Sequence, residues 1–211
     1  MYDVRPNLLV GFHGCEEKVR DELLNHPSKF KISDKPFDWL GHGMYFWENN
    51  LERAWEWAEE KKKQKKIKKP AVIGAIISLG HCLDFLDSRF IAVATAYYDL
   101  MVSEYKKVGE SIPTNKDVTG DIHKDKLLRH LDCAVIQYIH TTINQKIADE
   151  IAGGLTVSYK RYDSVRGVYE EGGKAFPGGG LAAKSHIQIC IRNQNCIKGF
   201  FLPRTEVSFG H

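Results

Sequence analysis

Residues 71–80 read AVIGAIISLG, an uncharged run that follows Pro70. A stretch this apolar and this rich in β-branched residues has no side to turn to water. As a strand it is covered on both faces. The rest of the chain must supply that cover.

Several other segments have the period of sheet or helix. Residues 8–12, LLVGF, form a short apolar run ending at a glycine-containing turn, as expected for a buried strand. In residues 15–26, CEEKVRDELLNH, the apolar Val19, Leu23 and Leu24 share one face, which predicts a first helix. Asn49 or Asn50 caps a second, in which Leu51, Ala54, Trp55 and Ala58 recur at helical spacing until Pro70 ends it. Helical periodicity returns over residues 87–107 and 124–145, on either side of the turn-rich SIPTNKDVTGD. Residues 168–180 form a glycine-rich loop, residues 185–193 (SHIQICIRN) alternate as a strand does, and KGFFLP closes the chain as a last strand. These elements predict an α+β fold: a single domain over residues 1–211 carrying a helical insertion at about 87–147.

At 211 residues the chain is long enough to bury a substantial core, and 43% hydrophobic with 27% charged residues is a folding composition. No stretch reaches the roughly 20 apolar residues that span a bilayer, and MYDVRPNLLV lacks a signal-type apolar segment. A cytoplasmic location with no membrane partner is expected. Cys15, Cys82, Cys133, Cys190 and Cys196 form no CxxC pair, so reduced thiols and no metal site are expected, although Cys190 and Cys196 have the option of bridging. Net charge is only +3, but KKKQKKIKK at residues 61–69 concentrates the positive residues. That run is either a solvated helix end suited to the helix dipole or a patch for phosphates and acidic partners.

Two short motifs carry the candidate chemistry. In GFHGC, His13 stands between glycines after the first strand; it is either a structural imidazole or a ligand contact. Gly14 favours the second reading, because a bare backbone lets a ligand come close. In GHGMYFWENN, Tyr45 follows Gly43 and can wall a slot for a planar ligand while Phe46 points into the core. Trp57 adds a further aromatic contact, while at least two of Trp47, Trp55 and Trp57 read as packing.

These motifs, FHG at residues 12–14, GHGMYF at 41–46 and AWEWA at 54–58, resemble in order and spacing those of the ADP-ribosyltransferases of the poly(ADP-ribose) polymerase and diphtheria-toxin branch. The resemblance covers about half of the chain and implies a split antiparallel β-sandwich with NAD held in the cleft between the sheets. It implies that His13 bonds the 2′-hydroxyl of the adenosine ribose, that the Gly14 backbone holds the nicotinamide amide, and that Tyr45 stacks on the nicotinamide ring, with Gly43 making room. Where the family carries a late acidic residue, this chain has Gln188, which accepts a hydrogen bond but cannot act as a base. Glu170 and Glu171, at the mouth of the glycine-rich loop, are the alternative source of a carboxylate, and Arg166 either faces a phosphate or pairs with Asp163.

The function implied is an NAD-dependent mono-ADP-ribosyltransferase, a glycosyltransferase that uses NAD as substrate and needs no metal, acting as a bacterial toxin or phage-defence effector. Its partners would be a macromolecular acceptor, protein or RNA/DNA, and an antitoxin. The alternatives are an NAD glycohydrolase and a non-catalytic NAD- or ADP-ribose-binding module.

Overall fold

A computed structural model describes residues 8–204; the expectation drawn from the N-terminal MYDVRPN falls on residues 1–7, outside the described residues. Seven strands form one hydrogen-bonded sheet: β1 (Leu9–Glu16), β2 (Met44–Glu48), β3 (Pro70–Ile77), β4 (Cys82–Asp84), β5 (Ser164–Tyr169), β6 (His186–Ile191) and β7 (Ile197–Phe201). Their order is β4-β5-β6-β2-β1-β3-β7, antiparallel throughout except for the parallel β4–β5 pair. Four helices cover it: α1 (Glu17–Asn25), α2 (Leu51–Lys63), α3 (Ser88–Val108) and α4 (His130–Ala152). Among the described residues, no helix is long and apolar enough to cross a membrane.

The apolar run becomes β3, which lies inside the sheet between β1 and β7. Here β1 differs from expectation. It does not turn at its glycines but pairs with β3 from Leu9↔Ile77 to Glu16↔Pro70, so His13, Gly14 and Cys15 are strand residues and α1 starts at Glu17. Long-range pairing outweighs the local turn signal of two glycines. Instead of two separate sheets there is one ladder that is thin at its centre: β1 and β2 share only the pairs Gly11↔Glu48 and Phe12↔Trp47 before they diverge.

Alternation along the strands separates two faces. One face, with Met44, Phe46, Ile73, Ala75, Ile77, Ile189 and Ile191, packs against Leu23 of α1 in one apolar cluster. The other is divided. Trp47 and Val72 pack with Ala54 of α2, while Cys190 and Val165 pack with Met101 of α3 and Ile136, Ile139 and Ile143 of α4.

The insertion is helical, with corrected limits. Its second helix begins at His130 and not at 124, because Lys116 and Leu128 form a β-bridge and Lys124 and Lys126 adopt left-handed backbone. Asn115 supplies the missing cap from a distance: its side-chain oxygen accepts from Leu131 N at 2.9 Å. The helix then runs past the expected limit at 147 to Ala152, where Gly153 and Gly154 follow. The short strands β4 and β5 add to those read from the sequence, and β5 takes Val168 and Tyr169 from the start of the expected glycine-rich loop. Gly167 breaks the apolar pattern of β5 because Trp39 occupies the space its side chain would fill, with Cη2 only 2.8 Å from an ideal Cβ. All five cysteines, Cys190 and Cys196 included, are buried free thiols.

Candidate functional site

Where β1 and β2 part, a cleft of about 680 Å³ opens on the divided face, bounded by α2 and by the loops that carry Trp39 and Leu128. That volume suits a small-molecule ligand. His13, Gly14, Gly43, Tyr45, Trp57, Glu171 and Gln188 all line it. The structure therefore brings together residues from β1, β2, α2, β6 and the glycine-rich loop.

His13 replaces part of the missing ladder. Its Nδ1–H donates to the Tyr45 carbonyl at 2.8 Å, a bond that fixes the tautomer and leaves Nε2 as a lone-pair acceptor. Nε2 has no protein partner among the described residues. Burial pushes the imidazole pKa down, partly offset by the bond to Tyr45, so at neutral pH the ring is uncharged.

Tyr45 is held at its hydroxyl, which accepts from Leu40 N at 2.9 Å and donates to the Gly41 carbonyl at 2.7 Å. Burial raises its pKa well above the ordinary value, so the phenol stays protonated and the ring cannot swing away freely. Gly43 is required by the neighbouring strand: a Cβ there would lie 2.4 Å from Cys190 Sγ. Gly14 is required by α2, since its Cβ would sit 2.3 Å from the Ala54 carbonyl oxygen. Close packing explains both glycines, and both are buried.

Gln188 is fixed at both ends of its amide. Its Oε1 accepts from Trp39 Nε1 at 2.6 Å, and its Nε2 donates to His186 Nε2 at 3.0 Å. His186 in turn donates from Nδ1 to the Lys184 carbonyl at 2.6 Å, and burial pushes its pKa down to about 4. The chain Trp39–Gln188–His186 orients a neutral amide, with one oxygen lone pair and one N–H unspent. Neither Trp39 nor His186 was singled out from sequence. Trp39 lies 149 positions from its partner, so only the fold reveals the pair.

Of the two glutamates, Glu170 is exposed and Glu171 faces the cleft. Glu171 forms an ion pair with Arg53 of α2, a residue only 8% exposed that also holds Glu56 at 2.5 Å. Burial raises the Glu171 pKa while Arg53 opposes the rise. The carboxylate therefore carries little net field into the cleft. Arg166, expected to face a phosphate or Asp163, does neither: on β5 it grips Glu48 through two bonds of 2.6 and 2.7 Å and reaches Asp84 at 3.3 Å. That network spans three strands and is structural.

Trp47 packs, as the sequence allows, with its ring 5.9 Å from Trp57 and 6.2 Å from His186. Yet it is 5% exposed, it lines the cleft, and its Nε1–H has no hydrogen-bond partner. Arg53 Nε is a second buried donor left bare. Buried donors without acceptors are costly, and both of these atoms lie beneath the surface of the cleft wall.

Comparison with known proteins gave no match: no family model, curated protein or solved structure is significantly similar to this chain.

Proposed function

We propose that the protein is an NAD-dependent mono-ADP-ribosyltransferase, one ADP-ribosyltransferase-like domain whose single sheet splits where β1 and β2 diverge, that acts in the cytoplasm as a toxin or phage-defence effector and modifies a protein or a nucleic acid. The observation that carries this reading is the convergence of His13, Tyr45 and Gln188 on one cleft from three strands.

In this reading the fixed Tyr45 ring is the floor on which nicotinamide stacks, and the Gly14 main chain holds its amide. His13 Nε2 accepts from the 2′-hydroxyl of the adenosine ribose. The bond between C1′ and the nicotinamide nitrogen breaks, and its electron pair leaves with the ring. A nucleophile on the acceptor bonds to C1′ of the oxocarbenium-like sugar and gives its proton to solvent. Gln188 meets a ribose hydroxyl with a neutral amide. Glu171 is tied to Arg53 and so does not stand free to activate water. One round of transfer is thus favoured over hydrolysis or chain growth. The α3–α4 insertion is left to contact the target or an antitoxin.

The test is incubation of the protein with NAD labelled in its adenylate phosphate and a whole-cell extract, beside Tyr45→Ala. Label on a macromolecule that falls at least about 100-fold in the variant supports the transferase. Released nicotinamide without labelled macromolecule would make the protein a glycohydrolase, and binding with no release would make it a recognition module.

A further inference from the structure

Seven lysines fall within residues 61–69, and the end of α2 determines where they point. Gln64 caps the helix and Lys65 follows with φ +58, a left-handed conformation that glycine favours and lysine does not. Lys65 N donates to the Lys62 carbonyl at 2.8 Å and Lys66 N to the Lys61 carbonyl at 2.9 Å, which turns the chain back on itself. The turn puts Lys66 beside Lys61 in the cleft wall, with Lys31 also lining the cleft. Burial first, then the charge of Lys66, push the Lys61 amine below its ordinary pKa, against the opposing charges of Glu60 and Glu171.

Strain in the backbone and repulsion between like charges therefore act at one place. The repulsion is unfavourable alone and is relieved by a bound anion. The run exceeds what one diphosphate needs. Lys62 reaches Glu59 at 4.0 Å and Lys69 reaches Glu17 at 3.0 Å, while Lys61, Lys63, Lys65, Lys66 and Lys68 have no carboxylate partner among the described residues. Flat rings stand among these charges: Lys61 Nζ lies 5.0 Å from the centre of Trp57, and the half-exposed Phe37 lines the same cleft. Cations that track a backbone, alternating with aromatic faces, are what a single strand with unstacked bases requires. A duplex would keep its bases out of the cleft.

We infer that the lysine turn at the end of α2 docks a single-stranded nucleic acid, which is the acceptor of the ADP-ribose; this rests on the transferase reading above. The strand lies along residues 61–69 and passes a base or terminus into the cleft.

The test uses the full chain and a fluorescein-labelled single strand of about 20 nucleotides, as RNA and as DNA, with anisotropy read from about 50 mM salt upward in the absence of NAD. The expected result is binding that weakens steeply with salt. In Lys61→Gln/Lys66→Gln it falls about 10-fold, and the slope against log salt drops by about 0.7 for each lysine that meets a phosphate. Lys63→Gln/Lys68→Gln, altered away from the cleft, shows a smaller loss of the same kind. With labelled NAD added, label moves onto the oligonucleotide.

Equal binding by wild type and both variants would overturn the proposal, as would tighter binding of poly-glutamate than of the oligonucleotide. A raised KM for NAD in Lys61→Gln/Lys66→Gln with unchanged oligonucleotide binding would also overturn it, by giving these lysines to the NAD diphosphate. Lysine-dependent oligonucleotide binding without any nicotinamide release would support the docking surface and remove the transferase reading.

Discussion

The two faces of the sheet are built on different principles. Under α1 the side chains form one continuous apolar cluster around Phe46. On the opposite face two clusters, one under α2 with Trp47 at its edge and one under α3 and α4, are separated by a seam holding Arg53, Glu171, His186 and Gln188. The first face answers the demand made by the apolar β3 run, and the polar His13, paired with Ile73 and 5.8 Å from the Phe46 ring, stands at its edge. The second has bare donors and buried ionisable groups that stability alone would not keep. Where a fold retains polar groups at such a cost, a ligand is the natural reason.

Substitutions on the two faces should separate these principles. The largest expected effect is on the α1 face. Phe46→Ala removes a fully buried ring and should cost about 3–5 kcal/mol in chemical unfolding, enough to unfold a domain of marginal stability. A cost under about 1 kcal/mol would mean that this face is not the main core.

Acid should act next, and on the seam. His186 is held neutral with its pKa at about 4, whereas an unfolded histidine takes up a proton near 6.5. Between these values the unfolded chain binds the proton and the folded one does not, so stability falls as the pH drops from about 6.5 to 4, by about 3 kcal/mol for this group. His140, at about 3, adds a loss over the same range. His186→Gln should flatten the curve of unfolding free energy against pH, and an unchanged slope would contradict the buried neutral ring.

Glu171→Gln comes third. It leaves Arg53 with Glu56 alone and should lower stability by about 2 kcal/mol at neutral pH, less than a fully orphaned buried charge would. Trp47→Phe is the smallest and most discriminating change. It deletes a buried N–H that has no partner, so denaturant unfolding should show no loss of stability or a gain of up to about 1 kcal/mol, while NAD affinity falls. A loss of stability with unaltered affinity would mark Trp47 as mere packing.

Much of this is legible in the chain because it is local. Residues 71–80 announce a covered strand, Asn50 caps α2 through its bond to Arg53 N at 3.0 Å, and residues 185–193 contain β6. The limits that shift do so for non-local reasons. Eight paired residues override the glycines of β1, and the cap of α4 comes from Asn115. Within the cleft, His13, Tyr45 and Gln188 stand out by residue type and context. Trp39, His186 and Arg53 do not, since their importance lies in contacts across the fold. The role given to the glycines also changes: Gly14 and Gly43 are there for the atoms of Ala54 and Cys190 that press against them.

The proposed chemistry is most exposed at His13, which lines the cleft and whose Nε2 has no protein partner among the described residues. Nicotinamide release from NAD should be followed for wild type and His13→Ala with cell extract as acceptor, after matching thermal unfolding has shown that both are folded. Release by wild type that drops at least about 100-fold in His13→Ala is the expected result. Equal release by the two folded proteins, or none from wild type, would contradict the assignment of this cleft to NAD.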